Sequence, residues 1–311
     1  MDPVNDVETL VGAGTGTRIE RILCPVDFSE ASVKAYRYAQ SIAGHYRAKL
    51  VVQHVVELWQ HPSGDWAVSP DLFEGFRQTL ISNAEAELQQ FVKTSGGLQP
   101  ECIVQESMAA DAILSFARGR AISLIVMGTH GRRGFDHLML GSVTERVLRH
   151  ASCPVLTVRR TAPGSGTQGA TDDPVPIRRI LCCVDFSAHS RRALEYALSA
   201  GDAYDAEVTV LHVLDHEPDS ADVGKETAAA MENLEKLFPP AAPRSAKTHL
   251  EVRLGKAYQE ILKFAQEAQS DLIVTGVRGR NSLNLEVFGS TTYRVIQLGP
   301  CPVLTVPISV S

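Results

Sequence analysis

"RILCPVDFSEASVKAYRYA" (Arg21 to Ala39) returns as "RILCCVDFSAHSRRALEYA" (Arg179 to Ala197). Each copy opens with a short apolar run, turns at "VDFS", and continues with apolar residues at helical spacing behind a serine suited to N-capping, Ser29 in the first copy. An apolar strand followed by an amphipathic helix is the first unit of an alternating fold, and here it occurs twice. The repeat continues downstream. "VVQHVV" with His54 matches "VTVLHVL" with His212 at the same offset of 158. "LIVMGTHG" matches "LIVTGVRG", and "CPVLTVR" from Cys153 matches "CPVLTVP" from Cys301, both at an offset of 148. The second copy is therefore 10 residues shorter in its middle, where the first has "LWQHPSGDWAVSPD".

Within the first copy the elements alternate. "RILCPVDF", "AKLVVQHVV", "ECIVQE", "AISLIVM" and "PVLTVR" read as strands. Between them lie helical stretches. "PDLFEGFRQTLISNAEAELQQFVK" carries its stripe at positions 72, 73, 76, 80, 84, 88 and 91, and "DAILSFARGR" and "SVTERVLRH" follow. Near-continuous apolar strands between helices imply a parallel sheet covered on both faces. The expected organisation is a tail over 1–17, a domain over 18–160, a linker over 161–176 and a second domain over 177–311. The linker reading rests on the Gly/Pro-rich "TAPGSGTQGATDDPVP". "GAGTG" in the tail follows no strand and lacks the full GxGxxG, so it does not read as a dinucleotide fingerprint.

Composition narrows the function classes. The 311 residues carry a formal charge of −6, with 44% hydrophobic and 21% charged residues. This is an ordinary globular balance without the basic footprint of a nucleic-acid binder. No apolar stretch approaches the ~18 residues of a membrane span, and no signal pattern opens the chain, so the expected location is the cytoplasm. The six cysteines form no CxxC pair; most sit in apolar runs and read as small buried hydrophobes, with redox sensing the competing reading.

The chemistry concentrates in "GTHGRRGFDHLMLGS" (Gly128 to Ser142) and its echo from Gly276 to Ser290. Both follow the pattern Gly, two residues, Gly, nine residues, Gly-Ser. At ~7% glycine, three fixed glycines arise by chance in roughly one chain in ten of this length. The spacing gains force from its context, after a strand and before a helix in both copies. Ligands of such sheets bind beyond the strand carboxyl ends. Glycines allow close approach and positive φ, and a helix N-terminus offers unpaired N–H groups to phosphate. The Ser142 hydroxyl is placed to cap the helix or to donate to phosphate, as is Ser290. Dipole effects of ~0.3–1 kcal/mol fall short of the ~8 kcal/mol of micromolar binding, so an apolar base pocket must contribute. Asp27, Val55 and Met127, at strand ends, are its candidate walls.

"VDFS", "HV", the Gly-x2-Gly-x9-Gly-Ser loop and "CPVLTV" together resemble the universal stress protein family, in tandem, over about residues 18 to 160 and 176 to 308. The resemblance implies two doubly wound, Rossmann-like α/β domains, each a five-stranded parallel sheet of order 3-2-1-4-5, forming a pseudo-dimer through the final strands and leaving homodimerisation of chains open. It implies binding of ATP, ADP or AMP in a stress-response role. It places Pro25, Asp27, Val55 and Met127 around adenine and ribose, and Gly128, Gly131, Gly141, Ser142 and Val143 on ribose and phosphates. The second-copy matches are Asp185, Val213, Gly276, Gly279, Gly289, Ser290 and Thr291. Pro25, Met127 and Val143 give way there to Cys183, Thr275 and Thr291, so the first site is expected to bind at least as tightly.

Several residues carry two readings. His54 and His212 are ligand contacts or satisfied core histidines. His130, Arg132, Arg133, Arg278 and Arg280 touch phosphate or are solvated loop charge. Asp27 and Asp185 hold Mg2+ through the nucleotide or serve the turn. Asp185 and His189 lie close together, but with no nucleophile in view; Ser187 reads as a cap. The alternative function is a slow ATPase or phosphoryl-transfer enzyme, although no GxxxxGK[ST], HRD or DFG motif is present. Adenylyl transfer lacks its loops as well.

Overall fold

The computed structural model describes residues 18–57, 70–131, 139–159, 175–214, 223–238, 247–277 and 289–308. The described chain divides into two compact units, one spanning Ile19–Val175 and the other running from Pro176. The first is built from β1 (Arg21–Pro25), α1 (Glu30–Tyr46), β2 (Lys49–Val56), α2 (Pro70–Ser95), β3 (Glu101–Glu106), α3 (Ala109–Gly119), β4 (Leu124–Gly128), α4 (Ser142–His150) and β5 (Val155–Val158). The second repeats the order as β6 (Arg179–Cys183), α5 (Ala188–Tyr204), β7 (Glu207–Leu214), α6 (Val223–Glu235), β8 (Thr248–Leu254), α7 (Ala257–Glu267), β9 (Leu272–Gly276), α8 (Ser290–Leu298) and β10 (Val303–Val306).

In the first unit the strands lie in the order β3-β2-β1-β4-β5, all parallel. In the second the order is β8-β7-β6-β9-β10, again parallel. These are the doubly wound five-stranded units that the family resemblance implies. The central strands are covered on both faces: Ile22, Leu23 and Cys24 of β1 and Ile125 and Val126 of β4 are buried. The β3 strand, at the edge, is only half-covered. Right-handed crossovers put α1 and α2 on one face and α3 and α4 on the other. Tyr36 of α1 accordingly meets Phe91 of α2 at 5.2 Å between ring centroids, and Arg146 of α4 pairs with Asp111 of α3 at 2.7 Å.

The chain leaves β1 toward β2, returns after β3, and takes β4 on the other side of β1. The carboxyl ends of β1 and β4 therefore flank the point where strand order reverses, the usual place for a ligand. No helix among the described residues is long and apolar enough to cross a membrane.

Candidate functional site

The first wall of the crevice is the end of β1. Val26 N–H donates to the Gln53 carbonyl at 2.8 Å, extending the sheet one residue beyond the strand. Asp27 then turns the chain: its Oδ1 accepts from Ser29 N at 3.1 Å and from Ser29 Oγ at 2.6 Å. Ser29 in turn caps α1, accepting from Ser32 N at 3.3 Å. The turn requires φ of 62° at Phe28, a left-handed conformation that a bulky residue adopts at a cost. The Phe28 ring is held against His54 at 4.5 Å and Phe91 at 5.6 Å. His54 Nδ1 lies 2.8 Å from the Val26 carbonyl, which can only accept, so this nitrogen carries the proton. His54 thus pins the strand end, as a satisfied core histidine, while also lining the crevice. Asp27 serves the turn.

The opposite wall runs from β4 to α4. Thr129 N–H donates to the Val158 carbonyl at 3.0 Å, and Gly141 N–H returns to the Thr129 carbonyl at 2.9 Å, closing the loop at its base. Gly141 is the N-cap of α4 and contributes no side-chain bond, and Ser142 is the first helical residue. The capping role expected of the Ser142 hydroxyl is therefore not realised. Gly289 likewise stands as the N-cap of α8, ahead of Ser290. With no capping side chain, the first N–H groups of α4 are presented to the crevice, where Ser142, Val143 and Thr144 all lie.

The glycines of the loop act through close approach and not through left-handed backbone; among the described glycines only Gly96, Gly97 and Gly255 have positive φ. A Cβ on Gly131 would stand 2.6 Å from Asp27 Oδ2, so the loop rests directly on that carboxylate. A Cβ on Gly141 would meet the Thr129 carbonyl oxygen at 3.2 Å. Gly128 differs: its Cβ would strike Ala31 Cβ of α1 at 2.8 Å, a helix-packing constraint.

These walls enclose a cavity of about 900 Å³. The nine first-copy residues singled out from the sequence, Pro25, Asp27, Val55, Met127, Gly128, Gly131, Gly141, Ser142 and Val143, all line it, so the fold brings them together. His130 lines it too, with Nδ1 2.9 Å from Thr129 Oγ1. Arg132, Arg133, Arg278, Arg280 and Gly279 lie outside the described residues. The sequence reading missed Gln53, Asn83, Ile113 and Met139. Gln53 leaves a signal, as an amide directly after the apolar run Leu50 to Val52 in the strand "KLVVQHVV".

The family model described as "Universal stress protein family" matches residues 18–159 and again 176–307. The chain belongs to the universal stress protein family. A universal stress protein of Mycolicibacterium smegmatis is 25% identical over 299 residues, covering 92% of this chain and 96% of the relative. One from Thermus aquaticus is 33% identical over 138 residues, 44% of this chain and 97% of that protein. Among solved structures, a universal stress protein from Archaeoglobus fulgidus superposes with a TM-score of 0.66 at 23% identity, over 94% of this chain and 99% of that one, and so shares the fold.

The second half of this universal stress protein repeats the turn closely. Asp185 Oδ1 accepts from Ser187 N at 3.1 Å and Oγ at 2.6 Å, Phe186 has φ of 63°, and His212 Nδ1 lies 2.7 Å from the Val184 carbonyl. Ser187 caps α5, as expected. Val213 lies near the end of β7, Gly276 ends β9, and Thr291 is in the first turn of α8. A Cβ on Gly276 would strike His189 Cβ at 2.7 Å, which repeats the packing of Gly128 on Ala31 and gives His189 a structural place. Cys183 is buried, and burial, then Cys301 and Asp185, push its thiol upward in pKa.

Proposed function

We propose that this universal stress protein binds adenine nucleotide, ATP in the first instance and ADP or AMP by the same contacts, in the crevice of its first half and in the matching place of its second. The single observation that carries this reading is the convergence of an uncapped helix N-terminus, a close-approach glycine loop and an apolar strand-end floor on one cavity. Its volume of about 900 Å³ falls in the range of small-molecule sites. Pro25, Val55 and Met127 supply the apolar surface for the base, and Asp27 lies beside the ribose. Ser142 and Val143 offer first-turn N–H groups of α4 to the phosphates, and Gly128, Gly131 and Gly141 line the ribose and phosphate path without side chains. Asp185, Val213, Gly276, Gly279, Gly289, Ser290 and Thr291 take these roles in the second half.

The residues fit such a ligand on a structural criterion. The cradle is shaped by glycines whose Cβ atoms would fill it or displace its neighbours. Magnesium enters this reading through the nucleotide, since no group of three ligating side chains stands together among the described residues. We take 18–160 and 177–311 as the two binding domains, joined by 161–176 and preceded by a tail over 1–17, and place the chain in the cytoplasm. It acts there in the stress response as a nucleotide-dependent regulatory or protective module.

The test is a calorimetric titration of the nucleotide-stripped chain with ATP, in the wild type and in Gly141→Val. The N-cap backbone, φ −62° and ψ 140°, accepts valine, but the added methyls crowd the Thr129 carbonyl and the helix N-terminus. Loss of one binding event is expected. Unchanged stoichiometry and affinity would overturn the assignment.

A further inference from the structure

The floor of the first cavity holds a buried amide whose carbonyl oxygen is unpaired. Gln53 is fully buried and lines the cavity. Its Nε2 donates to Gln105 Oε1 on β3, while its Oε1 has no partner in the structure. An unsatisfied buried acceptor costs more than a neutral hydrogen bond gains, so a ligand that brings a donor there gains specificity as well as affinity. The position suits a base. Gln53 pairs in register with Pro25, and Leu23 pairs with Ile125, so two residues further along Pro25 is level with Met127. In parallel strands such neighbours share a face. Gln53 is therefore the polar end of a row that continues across β1 and β4 as the apolar floor, Pro25 and then Met127.

The second half inverts this row. Leu211, buried, replaces Gln53 and pairs with Cys183, with Thr275 beyond. At the place of Gln105 stands Arg253, already tied to Glu267 at 2.8 Å and Glu251 at 3.3 Å and stacked over Phe264 at 4.6 Å. Neither matching position of the second half carries an amide.

We infer that Gln53 is the base-reading residue of the first half, its Oε1 accepting from the exocyclic amino group of a purine, so that the first site selects a 6-aminopurine and the second does not use this contact. This rests on the nucleotide-binding reading above. Competition of ATP and purine riboside triphosphate, which lacks the 6-amino group, against a fluorescent ATP probe tests it in a Gly289→Val chain, where the second half's helix cradle is blocked. The Gln53-containing chain is expected to prefer ATP roughly five- to tenfold. Gln53→Leu, which installs the residue the second half already carries, and Gln53→Met, which keeps the volume, should each bring the preference within about twofold. Retained preference in both variants overturns the inference, a trapped water then satisfying Oε1. Equal affinity of the Gln53 chain for both ligands overturns it too, since the two amides are then reversed and present a donor. Absence of any nucleotide binding overturns the nucleotide reading and this inference with it; binding without a Gln53-dependent preference overturns this inference alone.

Discussion

Asp27 does two things with one carboxylate. Oδ1 is committed to Ser29, and Oδ2 is the surface on which Gly131 rests. A methyl at 131 therefore moves Asp27 before it meets any ligand. Gly131→Ala is expected to weaken ATP binding about tenfold, ~1.4 kcal/mol, with little change in melting temperature. Unaltered affinity would mean that Asp27 does not form the site. The sequence showed Asp27 and Gly131 as separate motif positions, and only the fold shows that one sits on the other. Gly128 went the other way. Its motif position suggested a ligand contact, yet the atom it spares belongs to Ala31 on the neighbouring helix. A spacing pattern records that a Cβ is excluded and does not say by what. Gln53 was legible only as an oddity, because the value of a buried acceptor depends on what fails to pair with it.

Among the elements, α1 and α4 contrast in how they begin. α1 is stopped by its own sequence: Ser29 caps it and Asp27 ties Ser29 down. Ser29→Ala is expected to lower stability by about 1 kcal/mol, read as a lower urea midpoint at unchanged m-value; an unshifted midpoint would remove the cap from the account. α4 has no such side chain and begins on Gly141, which leaves its first turn to the cavity. Both starts are visible in sequence as "DFS" and "GS", but of the two roles open to Ser142 the fold removes capping, since Ser is a cap only when it precedes the first helical residue. Strands were legible because burial on both faces makes them continuously apolar. Helix lengths were less so. The apolar stripe on α2 starts in its first turn, yet Phe73 and Phe76 are 41% and 61% exposed, and burial is complete only at Ala84 and Leu88. A stripe reports amphipathicity, and how much of it finds a partner depends on how far the sheet extends beneath. α3 begins at Ala109, two residues before the run that signalled it, because Glu57 Oε1 accepts from Ala109 N at 2.8 Å, a long-range cap with no local signature.

For the whole chain, the repeat made the architecture legible from one stretch, because each half must form the same alternating unit to bury its strands. The cysteines follow from that burial. Cys24, Cys153, Cys182 and Cys183 are buried, and burial pushes the Cys153 thiol up to about 12, with Cys24, Cys182 and Cys183 raised likewise. Above a pH of about 8.5 the unfolded chain loses these protons while the folded chain keeps them, so stability is full below that pH and falls as pH rises toward 12. The melting temperature is expected to drop by at least ~5 °C between pH 8 and pH 10.5, and less so in Cys153→Ala; a flat profile would place these thiols in water. The two halves share turn, cap and histidine geometry but differ along the strand-end floor, where Pro25, Gln53 and Met127 of the first are replaced by Cys183, Leu211 and Thr275 in the second. The first half is accordingly expected to hold nucleotide at least as tightly as the second. The most direct measurement is to saturate the purified chain with ATP, remove free ligand, denature the protein, and identify and count the released nucleotide by chromatography. The account predicts at least one adenine nucleotide per chain, rising to two when both halves are filled, with Gly141→Val losing at least as much as Gly289→Val. No adenine nucleotide released and none taken up would contradict it.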